Sequence, residues 1–325
     1  MNSKTKPPLI RAKRFPICLF LCLMPLLIGC GREIGPKQPP IYGLVIPAGN
    51  EQWKKEIKDG FQFAAREFHV NYIIREYEET NPSSIISAAL SIPKTERTPI
   101  CIVFLRREPI ASVASALSKN NRVMITVGVD DASAERVGHI GMSPERLAYL
   151  WKIRATQLFP RFRNVLFVFG REPIKTDRIE GAVFQRSRNW REFKTRFRES
   201  EELSKEDVAW ADVVVCIGLD ALNKARLFEA KAIFPVDSDD NTLQLIESEE
   251  LPFALAPKYF EIGVRALRLA REHHIRNFIA QPLSLLDYAE IDQPSLKLFR
   301  ARRYKVTPGI LLPESEKTKK VEPLD

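Results

Sequence analysis

Short continuous apolar runs alternate along the chain with stretches in which apolar residues recur every three or four positions. The runs Ile41–Ile46, Tyr72–Tyr77, Ile100–Leu105 and Val123–Val127 read as strands, with helices predicted from about Glu51, Pro82 and Ile110 between them. In the first of these helices Trp53, Ile57, Phe61, Ala64 and Phe68 form one apolar stripe, and the Lys and Glu remainder is solvated. Asn81 can cap the second helix, with Pro82 in its first turn, where a missing N–H costs nothing. The rhythm restarts after Gly141. Ser143-Pro144 repeats the cap and proline, and Leu147, Leu150, Trp151 and Leu158 supply the apolar face of a helix ending before Pro160. Strands follow at Val165–Phe169, Val213–Ile217 and Ala232–Val236. This alternation predicts an α/β protein of βαβ units, with parallel sheets covered by helices, in two successive lobes.

The N-terminus carries a different pattern. Lys4, Lys6, Arg11, Lys13 and Arg14 precede an uncharged apolar run, Phe15 to Ile28, which has the length of a signal-peptide core and falls short of the ~20 residues of a membrane span. Pro16 and Pro25 would also break a spanning helix. The run ends in Leu27-Ile28-Gly29-Cys30, which resembles a bacterial lipobox. That resemblance implies loss of residues 1–29 as a lipoprotein signal peptide and a diacylglycerol on Cys30; the other reading is an uncleaved anchor helix. Either places the remainder in the cell envelope outside the cytoplasm, tied to a membrane. The leader takes five of the 50 Lys/Arg and none of the 41 Asp/Glu, so a net charge of +9 becomes +4. The basic balance is therefore partly an export signal, and no nucleic-acid partner is expected.

Residues 30–40 are the lipidated cysteine and a Gly- and Pro-rich tether, and residues 313–325 a charged, aperiodic tail. Once Cys18 and Cys22 leave and Cys30 is lipidated, Cys101 and Cys216 remain, each inside an apolar run where it acts as a small hydrophobe. The four histidines make no metal-ligand spacing, and the sequence has no HExxH, CxxC, GxSxG, phosphate-binding loop or paired-glycine dinucleotide loop. No cofactor, metal or enzymatic activity is expected.

Several segments together resemble the type I periplasmic binding proteins of ribose and other sugar uptake systems. They are IYGLVIPAGNEQWKKEIKDGFQFAARE, KTDRIEGAVF, DVVVCIGLDALNKA, AIFPVDSDDNTLQLIESEELPFALAP and KYFEIGVRALRLA, in this order. The resemblance implies two Rossmann-like lobes joined by a three-strand hinge, with crossings near Gly141, Ala256–Pro257 and Gln281–Pro282. The N-terminal lobe would hold residues 41–141 and 258–281, and the C-terminal lobe 142–257 and 282–312.

It also implies a ligand in the cleft between the lobes, where loops at the carboxyl ends of parallel strands converge. Asn50 and Trp53 match the family's polar and stacking positions, though Trp53 equally starts the core stripe of its helix. Arg178 matches a sugar-gripping arginine, or is a solvated one. Asp237 matches an aspartate that accepts hydroxyl protons, or caps the next helix. The usual aspartate after the fourth strand is replaced by Gly128, with Asp130 and Asp131 just beyond, and an asparagine-aspartate pair by Gly218-Leu219-Asp220. Pro257 stands where a glutamine is usual, and the basic stretch from Gly181 to Val213 is short for a strand and two helices. The expected function is a lipid-anchored solute receptor of the sugar type, passing a small polar ligand to an ABC permease. Alternatives are a ligand sensor for a membrane kinase or chemoreceptor, and a nucleoside-binding lipoprotein.

Overall fold

Twelve strands and nine α-helices make up the described part of the computed structural model, which comprises residues 39–79, 81–95, 97–171, 173 and 193–305. The first half runs β1 (Ile41–Pro47), α1 (Gln52–Glu67), β2 (Asn71–Tyr77), α2 (Pro82–Ser91), β3 (Ile100–Phe104), α3 (Glu108–Lys119), β4 (Met124–Gly128) and β5 (Gly138–Met142). After it come α4 (Pro144–Leu158), β6 (Asn164–Phe169), β7 (Lys194–Glu199), α5 (Lys205–Trp210), β8 (Val213–Ile217), α6 (Leu219–Leu227), β9 (Ile233–Val236), α7 (Asp240–Glu247) and β10 (Ala254–Ala256). The chain closes with α8 (Tyr259–Arg276), β11 (Leu283–Leu286), β12 (Ala289–Ile291) and α9 (Gln293–Arg302).

The strands form two six-stranded sheets, ordered β11-β5-β4-β3-β1-β2 and β12-β10-β9-β8-β6-β7. Every pairing in the first is parallel; in the second only β12 runs antiparallel, against β10. Central strands are buried from end to end, as their unbroken Val/Ile/Leu runs require. The chain passes from the first sheet to the second after β5, returns after β10, and crosses again between β11 and β12. β11 pairs with β5 through Leu283↔His139 to Leu286↔Met142, so the last crossing falls at Asp287–Tyr288, a few residues beyond the expected Gln281–Pro282. The basic stretch holds the edge strand β7, a single 3-10 turn at Ser200–Glu202 and the short α5.

Caps fix the helix starts that the sequence announces. The Asn81 side chain accepts from the Ser83 N–H, the Ser143 hydroxyl from Arg146 N–H, and Asp292 and Ser295 complete a reciprocal capping box on α9. The helices α1 and α8 meet backbone to backbone. A Cβ at Gly60 would lie 2.0 Å from the Phe260 carbonyl oxygen, and one at Gly263 2.1 Å from that of Ile57, so both positions demand glycine. This contact returns α8 to the first lobe and sets its N-terminus, at the second crossing, beside the start of α1.

Candidate functional site

At the carboxyl ends of the two sheets the loop after β4 meets that after β6 at Gly128 and Pro173, and charges on the loops after β1 and β2 act on Arg171 after β6, so these loop ends form the candidate cleft. On the first lobe, Lys54 is the central charge. Its ammonium is 1% exposed and donates to the Ala48 carbonyl at 2.6 Å, to Glu51 at 2.9 Å and to Glu79 at 3.2 Å, tying the loops after β1 and β2 together. Asn50 is exposed beside it. Trp53 is buried, its ring 6.1 Å from that of Tyr259 at the second crossing, with the Lys54 ammonium 5.3 Å from its centre. The structure therefore places Trp53 in the packing that joins α1 to α8.

Past β4, Gly128 adopts φ +83° and Asp130 turns inward. Arg136 grips Asp130 with two bonds of 2.6 Å, the Thr126 hydroxyl donates to it at 2.9 Å, and His139 lies 3.8 Å away. Burial pushes this carboxyl up, but the Arg136 hydrogen bonds, the His139 charge and Thr126 outweigh it and hold it below its ordinary value. Asp131 is held well below the usual carboxylate range by hydrogen bonds from Arg107, at 2.9 Å, and from the Ser133 hydroxyl and N–H.

On the second lobe, Arg171 pairs with Glu201 at 2.5 Å. Glu201 raises its pKa first, and the charges of Glu79 and Asp220 add to this. Glu51 is pushed up by burial, but its hydrogen bond from Lys54 and the charges of Lys54 and Arg171 leave it below its ordinary value. Glu51 and Glu79 of one lobe thus share a field with Arg171 and Asp220 of the other. Asp220 lies exposed in the first turn of α6. Asp237 is 5% exposed, accepts the Thr242 hydroxyl at 2.5 Å and is raised by burial. The cap of α7 is Asp239, whose side chain accepts from Asn241 N–H, so Asp237 is not its N-cap. Arg178 and Cys30 lie outside the described residues.

The two lobes touch where the fourth strand ends. A Cβ built on Gly128 would stand 2.4 Å from the Pro173 Cβ and 2.9 Å from its carbonyl oxygen. The space beside Gly128 is therefore filled by Pro173 of the opposite lobe.

A second link spans the hinge. Arg303, just past α9, donates to Glu56 of α1 at 2.7 Å through Nε, to Asp240 of α7 at 2.6 Å through Nη1, and to the Ser238 carbonyl. Next to it, a cavity of about 750 Å³ is lined by Glu56, Lys258, Glu261, Glu290, Phe299 and Arg302. Sequence reasoning missed Glu56, Lys54 and Arg303. The available signal was Glu56, a carboxylate one turn from Trp53 on the apolar stripe of α1. Among the described residues no group of His, Cys, Asp and Glu could hold a metal, and no helix is long and apolar enough to cross a membrane.

This is the fold of the type I periplasmic binding proteins. The chain aligns with an ABC transporter solute-binding protein from Bacillus halodurans C-125, solved with bound myo-inositol, at TM-score 0.68 and 10% identity over 82% of this chain and 99% of that one. It aligns with a periplasmic ribose ABC transporter protein from Conexibacter woesei at TM-score 0.66 and 11% identity, over 82% and 97%. A Caulobacter myo-inositol binding protein, solved with myo-inositol, gives TM-score 0.65 and 15% identity over 81% and 98%. No protein-family model matches the sequence. No curated protein matches it either.

Proposed function

We propose that this chain is an extracytoplasmic solute-binding protein, held to the membrane by lipid on Cys30, that presents a small polar ligand of the sugar type to an ABC permease. The observation that carries the reading is the pair of parallel sheets whose carboxyl ends face each other across a hinged cleft, an arrangement suited to binding by closure. Asn50, Asp220, Asp237 and Arg178 are the proposed ligand contacts, with Glu51 and Arg171 at the mouth. Asp130 and Trp53 hold the walls in place. The charged wall favours a ligand with more than hydroxyl groups to offer, such as an amino, acidic or nucleoside-type solute. A sensor role is the second reading. It is favoured by the Gly128–Pro173 contact, which closes the cleft with the chain's own atoms.

The test is a thermal-shift panel of pentoses, hexoses, inositols, their acidic and amino derivatives, and nucleosides against the purified protein. A true ligand at ~100 times its Kd adds about 2.7 kcal/mol of stability. Arg178→Ala is expected to abolish that gain. No shift from any compound at millimolar concentration would overturn the transport reading. Lipidation is checked separately by mass: Cys30→Ser should accumulate as a larger, unlipidated precursor.

A further inference from the structure

The end of the first lobe opposite the cleft carries an unusual concentration of exposed apolar side chains. Ile275 is 54% exposed at the end of α8, Phe278 57% just after it, and Leu283 51% at the start of the edge strand β11. They fall within one short stretch, at the level where the strands of the first sheet begin. The stretch is pinned from beneath: Ile279 is buried, and its Cδ1 lies 3.0 Å from where a Cβ on Gly138 would sit. Phe278 is thus presented outward by a fixed turn, whose left-handed residue is Asn277.

Basic groups lie at the same end of the lobe. Arg66, Lys119 and Arg276 occupy the last turns of α1, α3 and α8, where they also complement the carbonyl ends of those helices. Lys94 and Arg97 belong to no helix, are exposed, and lie on the loop before β3 at the same end. Among the described residues the acids there are Glu67, Glu135 and Glu272, the last paired with Arg276 at 3.6 Å and accepting from the Ala280 N–H at 3.1 Å, and Glu96 stands between Lys94 and Arg97 in the sequence of the loop. The loop is tied to the adjoining elements, since the Arg97 carbonyl meets His273 at 3.0 Å and the Thr98 hydroxyl meets His274 at 3.2 Å.

The same end is where the chain enters the fold. Ile41 begins β1 there, its N–H donated to the Thr95 hydroxyl, and the rings of Tyr42 and His274 meet edge to face with their centres 6.0 Å apart. The residues between Cys30 and Ile41 span at most roughly 35 Å fully extended, so a lipid on Cys30 would bring this end, and not the cleft, to the bilayer first.

We propose that this face of the first lobe docks on an anionic lipid surface, with Ile275, Phe278 and Leu283 entering the headgroup region and the surrounding Lys and Arg pairing with lipid phosphates. Docking would hold the cleft away from that surface, so it is a resting state that the lobe leaves, still tethered, before the cleft meets a permease. The proposal depends on the lipid anchor only for delivery to the membrane. Its test therefore leaves the anchor out.

The fragment from Pro39 to Asp325 is a compact unit containing both sheets and all three hydrophobic clusters. In vesicle co-sedimentation it should bind phosphatidylcholine vesicles containing phosphatidylglycerol at low salt, and at least tenfold less well at high salt. The pair Ile275→Ser and Phe278→Ser should weaken that binding at least tenfold with an unchanged melting temperature. Leu227→Ser, which alters an apolar residue exposed on the second lobe, should leave it intact. Binding no better to anionic than to neutral vesicles, or unchanged in the double variant, would overturn the proposal. Detection of an unmodified Cys30 in envelope protein would overturn the anchor and leave the vesicle result standing.

Discussion

The guanidinium of Arg303 and the carboxylate of Glu56, 247 positions apart in the chain, form a buried pair at 2.6 Å that joins the last helix of the second lobe to the first helix of the other. Asp240 and the Ser238 carbonyl fix the far side of the same guanidinium. Ser238 directly follows Asp237, so the clasp runs from the hinge to the shelf of the cleft. Movement of the lobes about the hinge has to stretch or break it.

Arg303→Met is expected to cost about 3–5 kcal/mol at pH 8.5, because Glu56 must then either stay ionised without its partner or take up a proton from alkaline solvent. Changing Glu56 to Leu in the same chain should return part of this, and urea denaturation of the four proteins in a double-mutant cycle gives the coupling. Independent additivity of the two substitutions would show that the pair does not hold the hinge.

Glu56 also predicts a pH dependence. Burial pushes its carboxyl up to about 7, against the opposing pull of the Arg303 charge and of hydrogen bonds from Arg303 and Gln52. Arg303, between two carboxylates, stays charged. In the unfolded chain Glu56 ionises near its ordinary value of 4.5, so between 4.5 and about 7 the unfolded state gives up a proton that the folded state keeps. The stability Glu56 contributes is thus complete below 4.5 and gone once pH has risen through about 7. Glu56→Gln removes the titration. Its stability relative to the parent should rise by on the order of 3 kcal/mol from pH 4.5 to 8, and a flat difference would refute the assignment.

Most of the fold is legible in the apolar runs, and the exceptions have physical causes. Val213–Ile217 is read to the residue because a central parallel strand is buried on both faces and is written as an unbroken apolar run. β5, with the sequence GHIGM, hides because two glycines and a histidine break its pattern; its burial comes from neighbours on both sides. β12 is three residues long, and β7 alternates basic residues with Thr195 and Phe197 at an exposed edge. The site was legible only as loop ends. That Asp130 is consumed by Arg136, or that Glu56 meets Arg303, depends on side chains that no local period connects.

Asp130→Asn separates a wall residue from a ligand contact. Its carboxylate is 1% exposed and accepts two bonds from Arg136 and one from Thr126. Removing the charge is expected to cost about 3–5 kcal/mol even without ligand, measured by chemical denaturation at pH 7. Because its folded pKa lies below 3.8, the contribution is present above 3.8 and is lost as pH falls through the folded value, so the gap between parent and variant should close in acid. Unchanged stability at pH 7 would return Asp130 to the ligand.

Gly128→Ala tests the closed cleft itself. The residue sits at φ +83°, and its new methyl would meet Pro173 Cβ at 2.4 Å, the Pro173 carbonyl at 2.9 Å and the Phe104 carbonyl at 3.1 Å. The backbone strain costs about 1 kcal/mol or more by itself, wherever the lobes are. The clash with Pro173 exists only when they are closed, so it acts on the opening equilibrium, and small-angle scattering should record a larger radius of gyration for the variant. Adding Pro173→Gly removes the Cβ at 2.4 Å but not the carbonyl at 2.9 Å, so it should bring the radius back toward the parent value while the stability loss from the Gly128 backbone remains. That split separates the two effects, and a radius unchanged by Gly128→Ala would mean that the Gly128–Pro173 contact does not govern closure.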